Sequence, residues 1–265
     1  MEKKFIASTM VYTNENLIDA LLKIKANGFK GAEVVMNQAG TWGHFKPIGI
    51  TEEEIQRIAK EVLSTGLSVT GLNVAGFDNV TGENEINMQS VKAMENVFRF
   101  AKALETEVVT VGCGAICEEN RGARLKKIAE YNALLCDMAT ASGVTLSVEA
   151  PHKQSITSNY DELIEYWSYQ REDIKCTFDA AHFTFMGIDA VKEAVKMKDR
   201  IAMVHLRDAA LDNSNLPFGE GKIDFKGLFD ALKDYKGYYS FELVSKDTKE
   251  GDEKLITALN YFKEM

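Results

Sequence analysis

Residues 174–205 read IKCTFDAAHFTFMGIDAVKEAVKMKDRIAMVH. A short β-type run, 174–178, leads to Asp179. A helix-type run follows at 189–197, and a second β-type run, 201–205, ends on His205. Strand, helix and strand within about thirty residues make a βαβ crossover unit.

The same alternation continues in both directions. Upstream, residues 5–8, 31–36, 67–74, 108–111 and 145–149 have strand character. Between them, 14–27 places Leu17, Leu21, Leu22 and Ile24 at helical spacing and ends at Gly28, as a helix C-terminus does. Thr51 followed by Glu54 is a capping box, and its helix stops at Gly66. Residues 87–104 put Val91, Met94, Val97, Phe98 and Ala101 on one face, and 124–142 and 160–169 are further helices. Downstream come a helix at 225–234, a strand at 238–243 and a last helix from about Gly251. Eight βα units in one direction predict an α/β chain that forms a single (β/α)8 TIM barrel over 1–265. A doubly wound open sheet is the alternative.

The 265 residues are 45% hydrophobic and 27% charged, as in ordinary soluble domains, with no linker-like segment. The net charge is -9 with no basic block, which argues against nucleic acid as a partner. No stretch reaches transmembrane length, and the apolar run near the N-terminus is too short for a signal peptide. A cytoplasmic protein with no membrane partner is expected. Cys113, Cys117, Cys136 and Cys176 lack zinc-finger spacing and read as free thiols. Homo-oligomerisation is left open.

Strands five to eight end on Glu149, Asp179, His205 and Glu242. In a barrel these ends are neighbours around half the ring, so the side chains converge at the C-terminal mouth. Three carboxylates held together repel, and a divalent cation relieves that. The plainer reading, a lysine partner for each, would have to recur on four consecutive strands. Oxygen donors plus one imidazole favour Mn2+, with Mg2+, Co2+ or Zn2+ compatible. Long connections at 37–50, 75–86 and 207–224 leave from the same face and are candidate lids or walls. The first of them carries Trp42, His44 and Phe45, which suit either a sugar-covering or a packed loop. Gly219 and Gly221 do not form a phosphate-binding fingerprint; they suit a turn ahead of a helix capped by Asp224.

Five stretches carry a resemblance: Ser147-Val-Glu149, Phe178-Asp179-Ala-Ala-His182, Val204-His205-Leu-Arg207-Asp208, Gly219-Glu-Gly221-Lys-Ile-Asp-Phe225 and Ser240-Phe-Glu242, with Gly31-Ala-Glu33 in the first half. The chain resembles the sugar isomerase/epimerase superfamily with a xylose-isomerase-like barrel, which also holds inosose and dehydroshikimate dehydratases and endonuclease IV. The resemblance implies that Glu149, Asp179, His205 and Glu242 ligate one divalent metal. It implies that His182 and Arg207 point at substrate, and that Glu149 and Glu242 exchange protons on opposite faces of an enediolate. Glu33 suits either a substrate hydroxyl contact or a buried ion pair. Many ketose epimerases of the superfamily carry a glutamate six residues past the first ligand. Ser155 stands there in this chain, with His152 and Lys153 as the polar groups of that loop.

The expected function is isomerisation or epimerisation of a sugar or polyol ketone. A metal-dependent dehydratase or other lyase acting on a keto-cyclitol or keto-sugar is the alternative. A nuclease like endonuclease IV needs more histidines than the four present. A non-catalytic sugar-binding barrel is the non-enzyme reading.

Overall fold

In the computed structural model, which describes residues 3–40, 43–82, 84–263 and 265, each strand pairs in parallel with its sequence neighbours. The strands are β1 (Lys4–Ser8), β2 (Gly31–Asn37), β3 (Ser68–Ala75), β4 (Val108–Gly112), β5 (Thr145–Glu149), β6 (Lys175–Asp179), β7 (Ile201–Leu206) and β8 (Tyr238–Phe241). Because β8 also pairs with β1, the sheet is a closed barrel and not an open doubly wound sheet. The helices are α1 (Leu17–Ala26), α2 (Glu52–Ser64), α3 (Met88–Ala103), α4 (Arg121–Ala141), α5 (Tyr160–Tyr169), α6 (Ala180–Phe185), α7 (Ala190–Met197), α8 (Phe225–Ala231) and α9 (Thr248–Lys263). Among the described residues no helix is long and apolar enough to cross a membrane.

Side-chain caps start most of these helices. Asn16, Thr51, Asn87, Asn159, Asp189 and Asp224 each accept a backbone N–H of the first turn. Thr51 and Glu54 form the full capping box. Two elements have no counterpart in the sequence analysis. The 3-10 helix Thr9–Tyr12 is four residues and α6 is six, too short to show a helical period. α6 starts directly from β6 because Asp179 accepts the Ala181 N–H at 2.7 Å. α4 begins at Arg121, three residues earlier than its apolar pattern.

The main apolar core lies between sheet and helices, with Phe98, Phe100, Tyr166, Phe178, Phe183 and Phe241 buried there. The barrel interior is different. A small plug of Ile6, Val108 and Met203 is a separate apolar cluster. Thr177 meets Thr110 at 2.8 Å and Ser147 at 2.7 Å in a buried hydroxyl group. Glu33 and Ser240 are also wholly buried in this interior. Gly71 makes the arrangement possible: a Cβ there would stand 2.9 Å from Met203 Cε and 3.3 Å from Glu33 Cγ. The glycine leaves the volume that these two longer side chains fill.

Candidate metal and substrate site

Register brings the strand ends together. Asp179 lies opposite His205, and Glu149 opposite Thr177, one alternation below Asp179. Glu242 is one residue past β8, yet its N–H still donates to Leu206 O at 3.2 Å, which keeps it in the barrel wall. One ligand-type atom from each of Glu149, Asp179, His205 and Glu242 lies within 4.8 Å of all the others. Asp179, His205 and Glu242 are buried, and Glu149 is partly so.

His205 is held from both sides. Its Nδ1 faces Glu149 Oε1 at 3.0 Å and Glu242 Oε2 at 3.5 Å. Its Nε2 faces Glu33 Oε1 at 3.1 Å, while Ser240 Oγ donates to the other Glu33 oxygen at 2.9 Å. Glu33 therefore differs from the expected substrate contact. It is the third residue of β2, fully buried below the strand ends, and it is not on the cavity wall. Its two oxygens are taken by His205 and Ser240, the buried-pair option.

Arg207 lies across the other side of the cluster. Its Nε donates to Asp179 Oδ2 at 2.7 Å, and Nη2 stands 3.5 Å from Glu242 Oε2. Nη2 also donates to His182 Nε2 at 2.7 Å. Since the guanidinium can only donate, His182 Nε2 is unprotonated. Burial lowers the His182 pKa to about 4, against the pull of Asp179 and with the Arg207 charge adding to the shift. The His152 ring centroid lies 4.5 Å from that of His182, with the two rings tilted at 57°. Lys153 lies with Nζ 4.2 Å over the Phe185 ring.

The charges of the cluster are out of balance. Burial would lower His205, but Glu33 and Glu242 outweigh it and hold the imidazole charged well above its usual range. Burial would likewise raise Glu149, but the His205 hydrogen bond and the His205, His182 and Arg207 charges keep it below the usual carboxylate range. Burial would raise Asp179 too, but the charges of Arg207, His182 and His205 together hold it low. Glu242 goes the other way: burial, with repulsion from Glu149 and Asp179, pushes it up to about 8 despite His205 and Arg207. Two cations, His205 and Arg207, do not suffice for the four carboxylates Glu33, Glu149, Asp179 and Glu242, and Glu242 is the one driven towards its protonated form. A divalent cation fits that deficit, and three carboxylates with one imidazole fit such a cation. Ligands at about 2.1 Å from an ion stand at most about 4.2 Å apart, so the cluster needs only a small contraction.

Above the cluster opens a cavity of about 910 Å³. Glu149, Glu242, His182, Arg207, His152 and Lys153 reach its wall, whereas Asp179 and His205 do not. Asn73, which the sequence analysis did not select, donates from Nδ2 to Glu242 Oε1 at 3.1 Å. A neutral amide at a strand end carries no charge pattern, and only its place on β3 could have singled it out. Ser155 is buried and ties the loop after Glu149 down, donating to His152 O at 2.6 Å and packing on Cys113 Sγ at 3.1 Å. All four cysteines are free thiols.

The neighbouring loops are structural. Asp208 Oδ2 accepts the N–H groups of Gly219 and Gly221 at 2.9 and 3.0 Å. The glycines thus wrap a carboxylate of the protein itself. In the loop after β2, His44 bonds Thr9 O and Phe45 packs edge-on against Phe100, while Trp42 lies outside the described residues.

L-ribulose-5-phosphate 3-epimerase UlaE of Escherichia coli (strain K12) is 20% identical over 254 residues, covering 93% of this chain and 88% of that protein. The solved D-allulose 3-epimerase from Methylomonas sp. superposes with a TM-score of 0.79 at 17% identity, over 99% of this chain and 97% of that one. The IOLI protein, solved with a bound zinc atom, gives a TM-score of 0.74 at 18% identity, over 98% and 97%. The pattern of the xylose isomerase-like TIM barrel family matches residues 21–265, and the chain belongs to that family.

Proposed function

We propose that the protein is a divalent-metal-dependent isomerase or epimerase of a sugar or polyol ketone. One observation carries this. Of the four clustered residues, only Glu149 and Glu242 also reach the cavity, so they can hold a cation and touch substrate at once. Asp179 and His205 sit behind them as holders. The likeness to sugar 3-epimerases supports the same reaction class.

Glu149, Asp179, His205 and Glu242 would hold the metal. When bound, it supplies Lewis-acid polarisation of a carbonyl and stabilises charge developing on oxygen. The chain's own residues do the rest. Glu149, a carboxylate that reaches the cavity, takes the proton α to the carbonyl. Glu242, the other clustered carboxyl that reaches the cavity, returns one. Arg207 and His182 orient substrate oxygens from the wall. Lys153 and the ring of Phe185 border the same space. Return of the proton to the same carbon from the other face gives epimerisation, and to the neighbouring carbon gives isomerisation. Mn2+ is the favoured ion.

The test is a metal-replete panel of ketoses, aldoses and inososes in D2O, followed by NMR. Deuterium at an α-carbon together with an isomeric product is expected. Metal retained without exchange on any sugar would leave a binding barrel and refute the proposal.

A lyase is the second reading, favoured by one contact. His152 Nδ1 accepts the Gln154 N–H at 3.2 Å, which leaves the ring proton on Nε2 as a donor for a departing hydroxyl. On that reading His152→Ala keeps exchange and loses product. On the preferred one, exchange and product stay coupled.

A further inference from the structure

The four clustered residues stand on the β5–β8 half of the barrel, and the other half meets them at one point of the cavity wall. Alternation along β3 turns Gly71 and Asn73 to the same side, the barrel interior. Asn73 borders the cavity, and its Nδ2 donates to Glu242 Oε1 at 3.1 Å. β1 and β2 lie between β8 and β3, so this bond crosses the barrel mouth. Among the described residues, no other wall side chain from β1 to β4, or from the segments that follow them, bonds to a clustered residue. The bond divides the Glu242 carboxyl. Oε2 faces the cations, 3.5 Å from both His205 Nδ1 and Arg207 Nη2, while Oε1 has the Asn73 amide. As a carboxylate Glu242 can only accept, so Asn73 must turn its nitrogen there and its carbonyl oxygen elsewhere. Among the described residues no donor meets that oxygen, although Asn73 is only 6% exposed. A buried acceptor left without a donor is costly, and the cavity is where a donor can come from.

We propose that Asn73 accepts a substrate hydroxyl at Oδ1 while its Nδ2 holds Glu242, so that one amide ties the proton-transferring carboxyl to the sugar. This rests on the isomerase or epimerase reading above and adds a recognition residue to it. An amide suits the task because its donor and its acceptor are separate atoms, each free to serve a different partner. It also brings no charge to a cluster that already has more carboxylates than cations. The hydroxyl that it takes lies on the Glu242 side of the sugar, near the carbon that this carboxyl serves. A substrate lacking that hydroxyl leaves Oδ1 unpaired and loosens the register between carboxyl and carbon.

The experiment crosses a residue change with a substrate change. The probes are the ketose or inosose that exchanges fastest in the metal-replete D2O panel and its monodeoxy analogues. With the unaltered protein, one analogue should lose about tenfold in kcat/KM for α-deuterium exchange. With Asn73→Leu, similar in volume but without either polar atom, parent and analogue should differ by less than about threefold. Mn2+ affinity of the same variant, titrated with no sugar present, should fall at least about tenfold, since Glu242 loses its hold. Asn73→Ala, which cannot crowd the wall, carries the same expectations should the leucine variant fail to fold. A deoxy penalty that survives in the variants overturns the proposal, even with weaker Mn2+ binding, because Asn73 is then a support alone. Unchanged Mn2+ affinity, or no deoxy penalty in the unaltered protein, overturns it too. Exchange on no sugar at all removes the isomerase or epimerase reading and the proposal with it; exchange with any of the three contrary results removes only the proposal.

Discussion

At the scale of single residues, the site separates side chains that reach the cavity, such as Glu149 and Glu242, from those that lie behind them, such as Asp179 and His205. Glu149→Gln and Glu242→Gln should each lower turnover by at least about 10²-fold, the lower end of general acid–base contributions, with metal loss adding to it. A variant that keeps its metal and turns over at the original rate would remove that residue from the chemistry. Glu33→Gln tests the brace behind His205. Its effect should fall on metal affinity, weakened about 10–100-fold in a direct titration, with substrate KM little changed in metal excess. An unchanged titration would make Glu33 mere filling for the barrel. The four strand-end groups were legible in the sequence because a charge after an apolar run is conspicuous, and the run repeats on four neighbouring strands. Glu33 was legible as a strand residue but not as a brace, since sequence does not say how deep in a barrel a side chain lies. Asn73 had no signal beyond its position.

At the scale of elements, the βα rhythm was readable almost everywhere because caps and periodicity agree. The Thr51–Glu54 box marks the start of α2 in sequence and structure alike. Thr51→Ala should lower stability by about 1 kcal/mol in chemical denaturation, leaving metal content unchanged. No loss would mean that the exposed first turn of α2 is satisfied by water instead. α6 escaped notice for a physical reason. It is a single turn and a half nucleated by Asp179, whose other oxygen is held by Arg207. A side chain that caps a helix with one oxygen and serves the site with the other leaves no separate mark in the sequence. The loop after β7 was read correctly as a turn ahead of Asp224, although the carboxylate it wraps, Asp208, could be seen only in three dimensions. A methyl on Gly221 would come within 1.9 Å of Asp208 Oδ1, so this loop has no room for a side chain there.

At the scale of the whole molecule, the cluster links acidity, cation and stability. Glu242 is raised from its ordinary 4.5 to about 8 by burial, so the fold favours its protonated form. Its contribution to stability is present below pH 4.5 and is lost as pH rises through about 8. The raised His205 adds a loss in the same direction above its ordinary 6.5. The depressed Glu149 contributes fully above pH 4.5 and does not oppose this trend. The rise in melting temperature on adding Mn2+ should therefore grow between pH 5 and pH 8, as protons stop competing for the ligands. Melting curves with and without metal across that range check it, and a flat or falling increment would contradict the charge deficit. The same cluster also bears on how the barrel is assembled. The four proposed ligands stand at or just past the ends of β5 to β8, while the supporting Glu33 and Asn73 come from β2 and β3. A half-barrel released by cutting between β4 and β5 would own every ligand and neither support. On the ribosome, Glu242 emerges after the other three, and its strand must slot between β7 and β1 before the proposed cation site is complete. A bound ion would thus be a latch that closes fully only on a finished ring, and its tight capture would time-stamp the moment a nascent chain becomes a barrel.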